Sequence, residues 1–189
     1  MTTFTPRPLS VTKTVDVSVV PLEISSFTAA PTTISVGDST TLTPIFVGTG
    51  ASISNGVGTV TSGNGVAVSP SITTAYTLTV TNVLGDSVTK TVTVVVVPLP
   101  VISSFTAGST AIAAGTSTTL TATFANGTGA IDPSIGSVTS GVGVPTPALS
   151  ATTTYTLTVT NAAGSFVTET VTVDVFVPDA AVTVDADVD

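Results

Sequence analysis

The chain contains no cysteine, no histidine and no tryptophan. Without cysteine there is neither a disulfide staple nor a thiolate metal site. Without histidine, general acid–base chemistry would have to rest on carboxylates with tuned pKa values. Charge is scarce as well: 7% of residues are Asp, Glu, Lys or Arg, against about 25% in ordinary globular proteins. Only Arg7, Lys13 and Lys90 are basic, and the formal net charge is −8. Nucleic acids and anionic lipids need clustered Lys and Arg to neutralise phosphate, so no nucleic-acid partner is expected. No apolar run reaches the roughly 18 residues of a spanning helix, so membrane insertion is not expected either. The opening residues MTTFTPRPLS lack the apolar stretch of a signal peptide, and a chain without one is the expectation.

What the chain has in abundance is 42 Thr, 32 Val and 21 Ser among 189 residues. β-Branched side chains suit a pleated, half-buried surface better than a helix, so the composition alone points to an all-β protein. The few carboxylates of the central region stand singly, Asp38, Asp86, Asp132 and Glu169 among them. A nucleophilic Ser or Thr needs a neighbouring base and an oxyanion hole, and no such pattern is visible. The glycine-rich stretch SNGVGTVTSGNGVAV at 54–68 has no helix after it to hold a phosphate, and it reads as hairpin turns between short strands. The protein is therefore expected not to be an enzyme and to have no catalytic or cofactor-binding residues.

Internal repetition is strong. ISSFTA occurs at 24–29 and 102–107, STTLT at 39–43 and 117–121, and TLTVTN ends at Asn82 and at Asn161. The repeat boundaries read 22–97 and 98–178, with extensions at 1–21 and 179–189. The linker VPLPV at 97–101 holds two prolines, which fix φ and remove donors, so it should be short and semi-rigid. Within each repeat the apolar period is two. Tyr76, Leu78 and Val80 alternate with Thr77, Thr79 and Thr81, and Val88, Val92, Val94 and Val96 share one face. This is the pattern of half-buried antiparallel strands. Turn signals such as VGD at 36–38, NVLGD at 82–86 and NAAGS at 161–165 separate them. About seven short strands in each repeat argue for a β-sandwich.

In these motifs, ISSFTA, STTLT and TYTLTVTNAAGS above all, the chain resembles tandem bacterial immunoglobulin-like domains of surface and extracellular proteins. The resemblance covers residues 22–177. It implies two tandem immunoglobulin-like antiparallel sandwiches in a rod, with strand-like extensions at both ends. It also implies that Tyr76 and Tyr155 are tyrosine-corner residues, ring in the core and hydroxyl bonded to backbone. The fold hosts many roles, so function has to be argued from sites.

Residues 10–22 read SVTKTVDVSVVPL and residues 87–99 read SVTKTVTVVVVPL, identical at eleven of thirteen positions. The first copy thus resembles the last strand of a repeat. One face carries Val11, Val15, Val17 and Val19, whose burial is worth on the order of 6 kcal/mol at about 1.5 each. Three placements are open: a remnant of a lost domain, a strand along an edge of the first domain, or a strand added to a neighbouring subunit, as in pili and fibres. A head-to-tail contact of the last kind does not close and would propagate. The tail VPDAAVTVDADVD places Asp185, Asp187 and Asp189 at alternate positions, about 7 Å apart on one strand face. They are a weak Ca²⁺ candidate, incomplete against the six to eight oxygens Ca²⁺ needs; otherwise no cofactor is expected. Asn126-Gly127-Thr128 fits the N-glycosylation triplet, which is common by chance in a Thr-rich chain.

These features lead to a non-enzymatic structural protein. It would be an immunoglobulin-like building block that self-associates through a terminal strand in an extracellular filament, surface layer or adhesin stalk. Its partners would be copies of itself or a larger surface assembly, at the cell surface or outside the cell. Two alternatives remain: a phage virion protein decorating a head or tail, and a glycan-binding surface module. The second is weakened by the lack of Trp and by Phe residues that mostly recur as core positions, Phe4 and Phe176 excepted.

Overall fold

The computed structural model describes residues 1–3, 5, 10–13 and 21–178. Among the described residues the first strand starts at Glu23, where the alternating pattern of the first repeat begins. Eight strands follow: β1 (Glu23–Ala30), β2 (Thr33–Ser35), β3 (Thr40–Val47), β4 (Gly50–Ile53), β5 (Gly58–Thr59), β6 (Val66–Val68), β7 (Thr74–Thr81) and β8 (Ser87–Val97). The second repeat yields β9 (Val101–Ala107), β10 (Ala111–Ala113), β11 (Thr119–Ala125), β12 (Thr128–Asp132), β13 (Gly136–Val138), β14 (Gly143–Pro145), β15 (Thr153–Thr160) and β16 (Phe166–Phe176). No helix among the described residues is long and apolar enough to cross a membrane.

Each repeat folds into two facing sheets with one topology. In the first, β1-β3-β6 faces β2-β8-β7-β4-β5; in the second, β9-β11-β14 faces β10-β16-β15-β12-β13. There are eight strands per sandwich rather than seven, because the opening strand of each repeat changes sheet midway. β1 pairs antiparallel with β3, and β2 then pairs parallel with β8. Pro31, which has no N–H to donate to a ladder, lies between them; in the second repeat Gly108 ends β9 at the same place.

The alternation read from the sequence sorts side chains between core and solvent. Leu42, Leu78, Val80 and Val94 have no exposed surface in the first sandwich, nor do their counterparts Leu120, Leu157, Val159 and Val173 in the second. The two cores share no residue. Full burial of such a side chain is worth about 1.5–3 kcal/mol. The intervening threonines pair across strands on the outer face: Thr77 Oγ1 lies 3.0 Å from Thr91 Oγ1, and Thr154 Oγ1 lies 2.9 Å from Thr172 Oγ1. Such cross-strand pairs stabilise a sheet modestly, which gives the abundant Thr a role besides solubility. The glycine-rich 54–68 stretch forms β5, β6 and the turns before and between them, with positive φ at Asn55, Gly56, Gly58 and Gly63.

Candidate functional site at the domain junction

The most elaborate polar arrangement in the structure lies between the sandwiches. β15 ends in Asn161, which opens the tight turn 161–165. The Asn161 Oδ1 accepts from the N–H groups of Ala163 and Ser165, both at 3.0 Å. Its Nδ2 donates to Ser35 Oγ of the first sandwich and to the Pro98 carbonyl of the linker, both at 2.9 Å. An amide side chain has two donor hydrogens and an oxygen with two lone pairs, so every valence is used and the amide can face only one way. Ser35 Oγ also meets Ser165 Oγ at 2.7 Å. Asn161 and Ser35 are both buried. Beside them the Asn126 Nδ2 donates to the Leu99 carbonyl at 3.0 Å. Four hydrogen bonds thus tie the second sandwich to the linker and to the end of β2 in the first. A recess of about 410 Å³ lies alongside, lined by Val97, Pro98, Asn126 and Thr160 among others.

The first sandwich carries the same turn at its outer end. Asn82 Oδ1 accepts from Leu84 N–H at 2.9 Å and Asp86 N–H at 3.0 Å. Gly85 and Gly164 both have φ of 88°, a conformation that costs glycine little. Here, however, Nδ2 turns back to Asp86 Oδ2 at 2.9 Å, and Asn82 is half-exposed.

The two tyrosines lie on the penultimate strand of each sandwich and are 4% and 1% exposed at Tyr76 and Tyr155. Burial raises the pKa of the Tyr155 phenol; a side-chain hydrogen bond with Thr146 opposes this more weakly. Thr146 is itself buried, and its Oγ1 accepts from Thr118 N–H at 3.1 Å. Both rings lie in the cores, where the resemblance placed them. Val11 is almost fully exposed and outside any strand. Val15, Val17 and Val19, and the Ca²⁺ candidates Asp185, Asp187 and Asp189, lie outside the described residues.

Among the described residues no three His, Cys, Asp or Glu side chains converge on a point that could hold a metal. Two of the single carboxylates serve turns: Asp38 Oδ2 accepts from Ser35 N–H at 3.3 Å, and Asp86 accepts from Asn82. Phe46 and Phe124 pack half-buried against the cores. Phe166 and Phe176 are exposed at 66% and 52%. Phe166 stands where the first repeat has Ser87, an exception the aromatic pattern of the sequence did not reveal. The Asn126 amide nitrogen, which a glycan would require, is the one bonded to Leu99.

The fold is a tandem of immunoglobulin-like sandwiches. Sidekick-1 immunoglobulin domains 1–4 superpose with a TM-score of 0.53 at 14% identity, over 76% of this chain and 46% of that one. Domains 3–5 of Drosophila OTK give 0.54 at 15%, over 81% and 63%. The titin I-band fragment I67–I69 gives 0.54 at 13%, over 84% and 66%. A C-terminal fragment of intimin, solved with the intimin-binding domain of its receptor, gives 0.50 at 15%, over 79% and 63%. The immunoglobulin-like pair thus spans about half to two thirds of these neighbours. No family model matches the sequence, and no curated protein does.

Proposed function

We propose that this protein is a non-enzymatic structural building block of the cell exterior. It would act as an immunoglobulin-like tandem that associates with copies of itself through the strand at 10–20, in a filament, a surface layer or an adhesin stalk. The observation that carries the reading is the completeness of both sandwiches. β8 is paired with β7 from Thr74↔Val94 to Thr81↔Ser87, and its last residues are held on the other side by β2. β16 is enclosed in the same way by β15 and β10. A segment that copies β8 therefore finds the place of that strand in each sandwich already filled. Sheet edges remain: in the first sandwich β1 has eight residues, and β8 from Ser87 to Val94 has no ladder partner on the side where β2 takes its last three residues; β2, β5 and β6 have two or three. An unpaired edge offers a row of donors and acceptors to an incoming strand.

The hydrogen-bonded junction supports a load-bearing or spacing role, since buried and fully satisfied polar networks hold packed elements in one arrangement. The intimin fragment of similar fold binds a receptor domain, which supports a place at the cell surface. The test is electron microscopy of the full chain beside a Val15→Asp/Val17→Asp variant. Polymers or ordered oligomers from the full chain, with single two-domain particles from the variant, are expected. Unchanged polymers from the variant would remove the strand from the mechanism.

A further inference from the structure

The turn at 82–86 and the turn at 161–165 share their backbone and Oδ1 hydrogen bonds, yet only in the second is the asparagine buried. The opposite ends of the sandwiches likewise share their backbone hydrogen bonds. In the first, Val36 N–H bonds to the Val97 carbonyl at 2.9 Å and Asp38 N–H to the Ser35 carbonyl at 3.0 Å. In the second, Ala114 N–H bonds to the Phe176 carbonyl at 2.9 Å and Thr116 N–H to the Ala113 carbonyl at 3.1 Å. Each sandwich thus has a receiving pole, the turn after its penultimate strand, and an inserting pole, the turn after its short second strand. The inner junction joins one of each. The outer poles are an unmated copy of the same pair.

The residues at the outer poles differ from the inner ones in a consistent direction. Inside, the bonded contact is small and polar: Ser35 on one pole, and Asn161 and Ser165 on the other, with Ala163 half-buried and Ala162 exposed in the same turn. On the outer receiving pole the two alanines are replaced by Val83 and Leu84, which are 75% and 82% exposed. On the outer inserting pole Ser35 is replaced by Ala113, beside Phe176 at 52% and Val177 at 82% exposure. Apart from Met1 and Val11 in the leading segment, Leu84 and Val177 are the most exposed large apolar residues described. Large apolar side chains left in water at matched positions mark contact surfaces.

We infer that the outer poles mate with each other between molecules: the Val83–Leu84 turn of one copy docks on the Ala113, Phe176 and Val177 pole of a second copy, in the geometry of the inner junction. The partner is this same chain, because the chain itself contains one junction of this kind and carries both halves of another. The halves lie on different surfaces, so the contact is heterologous and propagates rather than closing. It is driven by apolar burial where the inner junction is hydrogen-bonded. The inference rests on the self-association proposed above but assigns it to different residues.

Sedimentation velocity over a wide range of concentration tests it with four proteins: wild type, Leu84→Asp, Val177→Asp and Val15→Asp/Val17→Asp. The wild type should show open-ended, concentration-dependent association. Leu84→Asp and Val177→Asp, each exposed and outside the cores, should each weaken it by about tenfold or more. An equimolar mixture of these two variants should form a dimer that grows no further, because each retains the pole the other lacks. Retained association in Val15→Asp/Val17→Asp would support the poles and sink the strand; its loss alongside that of the pole variants would mean both contacts are needed. Pole variants that associate like wild type, a mixture that forms no dimer, or a wild type monomeric throughout would overturn the inference. The first of these, combined with loss in Val15→Asp/Val17→Asp, would leave the strand proposal standing alone.

Discussion

Two side chains show how a residue's neighbours set its weight. Asn161 spends both amide hydrogens across the junction and both lone pairs on its own turn. Removing it leaves the half-buried Ala163 and Ser165 N–H groups without that acceptor and Ser35 Oγ and the Pro98 carbonyl without its donors, at a cost of about 1–3 kcal/mol. Asn161→Ala should therefore lower stability in urea unfolding by that amount. Asn82→Ala should cost less, since water reaches the half-exposed turn. Tyr155 gives a prediction in pH. Its phenol is raised above the usual value of about 10 by burial. The unfolded chain therefore ionises first, and stability present below about pH 10 is lost as pH climbs toward the folded pKa. Urea midpoints at about pH 8 and about pH 11 should differ for wild type, and the part due to this phenol should vanish in Tyr155→Phe.

At the scale of elements, the strands are short and the turns between them tight, so the limits are set by backbone proximity. Gly127 lies in the β11–β12 turn, and a Cβ there would stand 2.6 Å from the Thr160 carbonyl oxygen. That obstacle is main chain at the end of β15, paired on both sides, and cannot swing aside. Gly127→Ala should therefore lower stability by about 1–3 kcal/mol, read as a shift of the thermal or urea midpoint. A small effect would mean that the turn can open without disturbing β15. At Gly129 the obstruction is the ring of Phe124, 2.5 Å away, which a rotation can relieve in part. The two strands that close each sandwich, β8 and β16, are also the longest, with eleven residues each. Their length lets one strand pair antiparallel on one side and parallel on the other.

At the scale of the molecule, two separate cores are joined by a three-residue linker and a handful of hydrogen bonds. Leu157→Ala removes a fully buried side chain from the second core alone, at about 2–5 kcal/mol. Calorimetry should show one unfolding component moving down while the other stays. Movement of both together would mean that the junction couples the domains as one cooperative unit. The low charge and abundant hydroxyls give a surface held in solution by Thr and Ser more than by ions. On such a surface a few exposed apolar side chains at the poles stand out.

The sequence by itself determined the strands and the duplication, because alternation of apolar and polar residues is a local property that each segment carries within itself. The core followed from the same alternation, and so did the fold class, since period-two segments of this length can bury their apolar faces only by facing another sheet. The change of sheet between β1 and β2 was not legible, because it depends on which partner strand lies nearer. The junction was not legible either. Asn82 and Asn161 both end the run TLTVTN and open equivalent turns, yet one is half-exposed and the other buried. The difference lies in Ser35, 126 residues away from Asn161. Only the tertiary structure decides it, because a hydrogen bond is selected by distance in space, and local pattern holds no record of which chain end arrives there.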